Sequence, residues 1–127
     1  MRLRHILCVT LIALGTPLAA IAELMVGGYP PGSPGEHPIS QFSADAQGVA
    51  APIRQIAGGA TQLNGPGNIS YEPVEGMLYV SDYWGQAIRV FPAFASGDIA
   101  PLRVINPAQL GQPRSSVPIA ALDELIV

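Results

Sequence analysis

Four residues near the middle of the chain have side chains that could contact a ligand. Asn68 and Asp82 carry the amide and carboxylate oxygens that hard cations prefer, but such a shell needs roughly six or more oxygens. Capping of turns is the more common role of Asn and Asp. Tyr83 and Trp84 follow a predicted strand, where an exposed aromatic pair would suit a sugar ring or an apolar peptide, and the alternative is packing in the core. We predict ligand contacts at these four residues and no metal site.

No catalytic residue is predicted elsewhere in the chain. His37 is the one histidine after residue 22, and it lies between Glu36 and Pro38 in a proline-rich loop, so we expect a solvated surface side chain. No nucleophile-elbow motif surrounds a serine, and Cys8, the one cysteine, lies in the N-terminal apolar run. The chain after that run therefore has no thiol and no disulfide, and we expect no cofactor.

Residues 1–22 have the layout of a secretory signal. Two arginines precede an apolar run over residues 6–20, and small residues follow at the positions that a signal peptidase reads. Cleavage is predicted between Ala22 and Glu23. A membrane anchor is the competing interpretation, but the run is shorter than the ~20 residues of a spanning helix, and Pro17 would break its last turn. We expect a periplasmic or extracellular protein that meets a membrane only where the signal stays uncleaved.

The charge of the chain argues against a nucleic-acid partner. The sequence contains no lysine, and residues 1–22 hold two of its six arginines and none of its nine acidic residues, so the remainder has a net charge of −5. Nucleic-acid binding requires clustered basic residues that displace phosphate counterions. The 13 prolines and 14 glycines are instead typical of many short strands joined by turns.

One stretch of the chain occurs twice. Residues 39–56 and 88–105 align without gaps at an offset of 49, and nine of the eighteen aligned positions are identical. A fixed period of this length is typical of repeat architectures. Arg54 and Arg103 occupy the same repeat position, which favours a structural role such as a bond to a loop carbonyl or to an acidic residue like Asp98.

Short strands must position these residues, because no segment after residue 22 has a helical period of useful length. Predicted strands cover residues 23–26, 39–42, 53–56, 68–71, 77–81, 87–91 and 102–105. One repeat thus contains four strands, the size of one propeller blade, and apolar residues on both strand faces fit a blade that packs between two neighbours. We predict an all-β fold of about two four-stranded antiparallel β-propeller blades.

Three motifs resemble the NHL-type propeller blade, whose pattern runs P-x-G-I, then G-x-L-Y-V-A-D, then I-x-V-F. They are Pro-Gly-Asn-Ile at 66–69, Gly-Met-Leu-Tyr-Val-Ser-Asp at 76–82 and Ile-Arg-Val-Phe at 88–91. Residues 95–105 resemble exported bacterial propeller proteins of the six-bladed TolB-like group. The resemblance covers residues 23–127 and implies one propeller domain with repeats at 39–87 and 88–127, the second of them incomplete.

Closed propellers have roughly 4–8 blades, so two blades leave three explanations open. The chain is a truncated or degenerate relative of a longer propeller, a fragment, or one subunit of a ring, for example three chains giving six blades. The implied function is an exported binding or scaffold module, with a second copy or another propeller chain as partner and a small molecule, glycan or peptide as ligand. The alternative is a hydrolase or lactonase-like propeller enzyme whose metal ligands come from other chains.

Overall fold

Strands form where short apolar segments lie between glycine- and proline-containing turns. The computed structural model describes residues 23–28 and 37–127, so the predicted signal peptide, with Ala22 at its end, lies outside the described residues, while Glu23 opens the first strand. The described residues form antiparallel sheets joined by turns and single-turn 3-10 helices, which confirms the all-β prediction.

The first sheet consists, in spatial order, of β1 (Glu23–Gly27), β2 (Ile39–Ser43) and β3 (Arg54–Ile56). The central sheet consists of β4 (Pro66–Glu72), β5 (Met77–Asp82), β6 (Ala87–Pro92) and β7 (Arg103–Ile105). The last sheet consists of β8 (Val117–Ile119) and β9 (Glu124–Ile126). Within each sheet every strand pairs with the next along the chain, so each sheet is a hairpin or a meander of hairpins.

The two copies of the repeated stretch pair in the same register. Ile39 lies opposite Ile56 where β2 meets β3, and Ile88 lies opposite Ile105 where β6 meets β7. Both partners of the second pair follow those of the first by 49 residues. The shared residues therefore set the same two-strand pairing twice, once in the first sheet and once in the central sheet.

The central sheet buries both of its faces. Leu78, Val80 and Phe91 pack in one apolar cluster with Ile39 and Ile56 of the first sheet. On the opposite face Tyr79, Ile88 and Val90 form a second cluster, against which Leu125 of the last sheet packs. Since side chains alternate along a strand, β5 contributes to both clusters, and a strand buried on both faces must be apolar at nearly every position.

A backbone contact joins the first and central sheets at their outer strands. Gly97, in the connection between β6 and β7, donates to the Gln55 carbonyl at 2.7 Å and accepts from the Ala57 N–H at 3.1 Å. The carboxylate of Asp98 accepts from the Ala60 N–H at 2.7 Å. This residue thus caps the turn that follows β3.

The two recurring arginines contact side chains on other strands of their own sheet. Arg54 donates to the side-chain oxygen of Gln41 at 3.2 Å. Arg103 donates to the hydroxyl of Tyr79 and places its guanidinium 5.6 Å from the centre of that ring. The first contact joins the adjacent strands β2 and β3, and the second reaches from β7 across β6 to β5, which agrees with a structural role for this repeat position.

The prediction of a solvated His37 is wrong. Its side chain is buried, and neither ring nitrogen has a hydrogen-bond partner among the described residues. The physical reason lies in the next residue, since the Pro38 carbonyl accepts from the Gly28 N–H at 3.2 Å and so extends the pairing of β1 with β2. The backbone around His37 is thereby held against the first sheet.

Replacing Gly58 by alanine is expected to lower the free energy of unfolding by about 2 kcal/mol or more, because its φ of 123° belongs to a region that other residues avoid. A Cβ there would also lie 2.4 Å from the carboxylate oxygen of Asp98. The matched control is Gly59→Ala, whose Cβ would have no heavy atom within 4 Å and should change stability by about 0.5 kcal/mol at most. Urea denaturation of both variants measures the difference, and equal losses would contradict the predicted clash.

Candidate functional site

A buried ion pair lies at the end of β5. The carboxylate of Asp82 accepts from the guanidinium of Arg89 at 2.7 Å, and the carboxylate is fully buried. Its second oxygen accepts from the Asn64 N–H at 2.8 Å. Arg89 also donates to the side-chain oxygen of Gln62 at 3.1 Å. Two buried charges are tolerated because each is hydrogen-bonded as well as paired.

This pair attaches the loop before β4 to the turn between β5 and β6. Gln62 has a positive φ of 57° at the end of the single-turn 3-10 helix Gly59–Thr61, and its side chain contacts Arg89. In the β5–β6 turn a Cβ on Gly85 would lie 2.0 Å from the Asp82 carboxylate, so the turn needs a residue without a side chain there. One oxygen of Asp82 therefore holds the backbone of Asn64, as its turn-capping interpretation requires, and the other is paired with the Arg89 side chain.

Asn68 lies on β4, opposite Ser81 of β5, next to a register shift between Pro66 and Asn68. Its side-chain oxygen accepts from the hydroxyl of Ser70 at 3.3 Å. The structure thus places Asn68 on a strand next to the one that carries Asp82. The side chain of Asn68 thus has a hydrogen-bond partner on its own strand in the absence of a ligand.

The three serines near Asn68 connect the central sheet to the segment before β8. Ser70 donates to the backbone carbonyl of Ser116, and the hydroxyls of Ser81 and Ser116 lie 3.1 Å apart in a buried contact. Ser116 is itself buried. These bonds fix the chain from residue 113 to 116 beside the central sheet.

Tyr83 and Trp84 form an edge-to-face pair with ring centres 4.9 Å apart and planes at 89°. The Tyr83 N–H donates to the Gly65 carbonyl at 3.0 Å, and a Cβ on Gly65 would lie 2.6 Å from the indole of Trp84. The indole therefore packs on bare backbone. It keeps 48% of its surface exposed, while Tyr83 is half-buried, so neither ring is a member of the two core clusters.

Beside Tyr83 is a cleft of about 290 Å³. It is lined by Gly27 at the end of β1, by Pro66 and Gly67 at the start of β4, by Tyr83, and by Pro113 and Arg114 before β8. The guanidinium of Arg114 lies 5.7 Å from the centre of the Tyr83 ring, within the range of a cation–π contact. Segments adjoining all three sheets thus converge on one aromatic ring and one cation.

Sequence reasoning missed Arg114 and Pro113. They lie about thirty residues after Tyr83, outside any recognisable motif, and long-range contacts bring them there, among them the bonds of Ser116 to the central sheet. Of the four predicted residues, Tyr83 lines the cleft, and the ring of Trp84 packs against the ring of Tyr83. Asn68 and Asp82 are not among the residues that line it.

A second cavity, of about 180 Å³, lies between the central and last sheets. Two of the charged side chains that line it are bonded within the fold. The carboxylate of Glu72 accepts from the N–H groups of Val74 at 2.8 Å and Glu75 at 2.6 Å. Arg103 is bonded to the Tyr79 hydroxyl. Three further acidic residues line this cavity, at positions 75, 123 and 124, whereas an arginine lines the cleft beside Tyr83.

In residues 23–28 and 37–127, no three side chains of His, Cys, Asp or Glu lie close enough together to hold a metal ion. None of the helical segments in the same ranges has the length and hydropathy needed to cross a membrane. The chain matches no family model, and comparisons with curated proteins and with solved structures gave no significant match.

Changing Asp82 to asparagine is expected to cost about 3 to 5 kcal/mol of stability, because it leaves the buried Arg89 guanidinium without a counter-charge. Adding Arg89→Met to that variant should recover part of the loss, since the uncompensated charge is then removed. The control is Asp45→Asn, at an exposed residue bonded to Ser43, with an effect of about 0.5 kcal/mol at most. Chemical denaturation of the three variants checks this, and a double variant no more stable than Asp82→Asn would refute the account.

Proposed function

We propose that this chain is an exported repeat protein of the β-propeller type that binds a small ring-bearing ligand in the cleft beside Tyr83. The propeller assignment is supported by a four-stranded antiparallel meander that packs between two further sheets. It is supported too by the NHL-like motifs, which coincide with β4, β5 and β6. Export is supported by the signal-like layout of residues 1–22.

The observation that carries the binding proposal is the position of Arg114 over the ring of Tyr83 at a cleft where segments adjoining three sheets meet. The two side chains come from segments that no local interaction would join. Two prolines and two glycines form the rest of the lining, so these two residues supply the polar side chains among the described residues that line the cleft. A concave site with a few convergent polar groups on an apolar wall is the usual form of a small-molecule site.

The chemistry of the cleft favours a sugar that bears a carboxylate. A tyrosine ring offers an apolar face for the C–H groups of a pyranose, and its hydroxyl can bond a sugar hydroxyl. The guanidinium of Arg114 is planar and can donate two parallel hydrogen bonds to one carboxylate. Arg114 is exposed and has no carboxylate partner among the described residues, so its charge is available to a ligand.

No contact among the described residues supports the hydrolase alternative. Asp82 is the acidic residue nearest to the aromatic pair along the chain, and both of its oxygens are bonded within the fold. We therefore propose binding without a chemical step.

Oligomers of a uronic acid are expected to bind the protein and to change the fluorescence of Trp84, the one tryptophan of the chain, because its ring contacts that of Tyr83. Neutral hexose oligomers of the same length should bind at least about tenfold more weakly, because they lack the carboxylate that accepts charge-assisted hydrogen bonds from Arg114. Arg114→Gln should remove that difference, and Tyr83→Ala should abolish binding of both ligands. Fluorescence titration and calorimetry measure the dissociation constants.

The matched control is Arg103→Gln, because Arg103 also stacks on a tyrosine but does so beside the other cavity. This variant should bind the uronic acid oligomers as the unaltered protein does. Equal affinity for acidic and neutral oligomers would count against the carboxylate, and binding of an acidic peptide alone would reassign the ligand class.

Expression of the whole chain in a bacterium with a secretion pathway should yield an exported protein that begins at Glu23. Ala22→Phe should block cleavage, since a signal peptidase requires a small residue at that position, whereas Ile21→Phe should not. N-terminal sequencing and the mass of the exported product check both variants. An unprocessed protein that stays in the membrane fraction would support the anchor interpretation instead.

A further inference from the structure

The two sheet-to-sheet interfaces within the chain join unlike faces. We use "leucine face" for the face of a sheet that carries Leu78 or its equivalents, and "tyrosine face" for the face that carries Tyr79 or its equivalents. The central sheet packs its leucine face against the first sheet and its tyrosine face against the last sheet.

Strand register assigns the faces of the first sheet. Leu24 lies opposite Phe42, as Leu78 lies opposite Phe91, so Leu24 occupies the Leu78 position and Met25 the Tyr79 position. Met25 packs on the cluster that contains Leu78, which places the tyrosine face of the first sheet inward. Its leucine face therefore points outward, and Leu24 and Val26 are 57% and 45% exposed there.

The same comparison assigns the faces of the last sheet. Four residues separate Ile119 from its partner Glu124, as four separate Glu72 from Met77, so Leu125 is the equivalent of Leu78 and Ile126 that of Tyr79. Leu125 packs on the central sheet. The tyrosine face of the last sheet is therefore the outward one. Its cross-strand pair Val117 and Ile126 is 53% and 57% exposed.

We propose that the outward tyrosine face of the last sheet of one molecule packs on the outward leucine face of the first sheet of a second copy. The chain uses this combination of faces in both of its internal interfaces, and the outward faces keep the apolar residues that such packing needs. Burial of exposed apolar pairs such as Leu24 with Val26 and Val117 with Ile126 supplies the driving force. The sequences of the two outer strands agree, since Glu-Leu-Met-Val in β1 corresponds to Glu-Leu-Ile-Val from Glu124 onward.

An interface between unlike faces is heterologous, so one contact does not occupy both outward faces of either molecule. Each molecule keeps one free face of each kind after one contact, so association continues until a ring closes or a filament forms. A molecule in which one face is blocked still has its other face. Two molecules blocked at different faces can therefore form one contact and no more.

The experiment uses the protein purified after expression of the whole 127-residue chain, with its mass measured by light scattering during size-exclusion chromatography. The unaltered protein should show a mass of two or more copies that increases with concentration. Leu24→Glu and Ile126→Glu should each be monomeric alone, and a mixture of the two should form a 1:1 dimer. Leu102→Glu, at a residue 59% exposed in the connection before β7, is the control and should keep the mass of the unaltered protein.

Formation of the mixed dimer shows at the same time that both variants are folded, because a misfolded variant cannot supply its intact face. Milder changes, Leu24→Ser and Ile126→Ser, should weaken association at least about tenfold without adding charge. A monomeric protein at all concentrations overturns the proposal, including the case in which residues outside the described ranges cover one face. Dimers of either glutamate variant alone would also overturn it, since they require contact between like faces.

Discussion

The buried ion pair between Asp82 and Arg89 is the constraint on which the site depends. Placing two charges inside a protein costs several kcal/mol for each ion unless hydrogen bonds compensate. Here the compensation comes from the backbone of Asn64 and the side chain of Gln62, both in the loop that precedes β4. The pair can therefore be satisfied only when that loop is folded against the β5–β6 turn. This turn carries Tyr83, so the same electrostatic requirement orients the aromatic wall of the cleft.

The second constraint is the apolar character of both sheet faces. A sheet that is apolar on one face must be covered by one neighbouring sheet. The central sheet is apolar on both faces and must be covered by two. The first and last sheets supply these neighbours, and their approach also brings Gly27 and Arg114 to the cleft that Tyr83 lines. Packing of the sheets and formation of the cleft are thus one event. The outer faces remain apolar for the same reason, because the repeat places similar residues on each strand whether or not a neighbour covers it.

Much of the secondary structure could be predicted, because it depends on local properties. The alternation of apolar residues and the glycines at reversals located seven strands to within about two residues, β4 through β6 included. Residues 117–119 were harder to predict. Pro118 and a 3-10 turn at Ala120–Leu122 interrupt the strand pattern there, and β8 is only three residues long. The burial of His37 escaped prediction because a proline loop gives no local sign that its backbone extends a strand pair.

The sequence by itself determined seven of the strands, their joining by turns and the equivalence of the two repeated stretches, since these follow from the period of side chains and from turn residues close along the chain. It also determined that Tyr83 and Trp84 lie at a turn. The tertiary structure decided that the carboxylate of Asp82 forms an ion pair with Arg89 and that Arg114 lies over Tyr83. Contacts between residues far apart in the chain depend on how sheets stack, and stacking is set by the sum of many apolar contacts, not by any single motif. The candidate site depends on such contacts between distant residues.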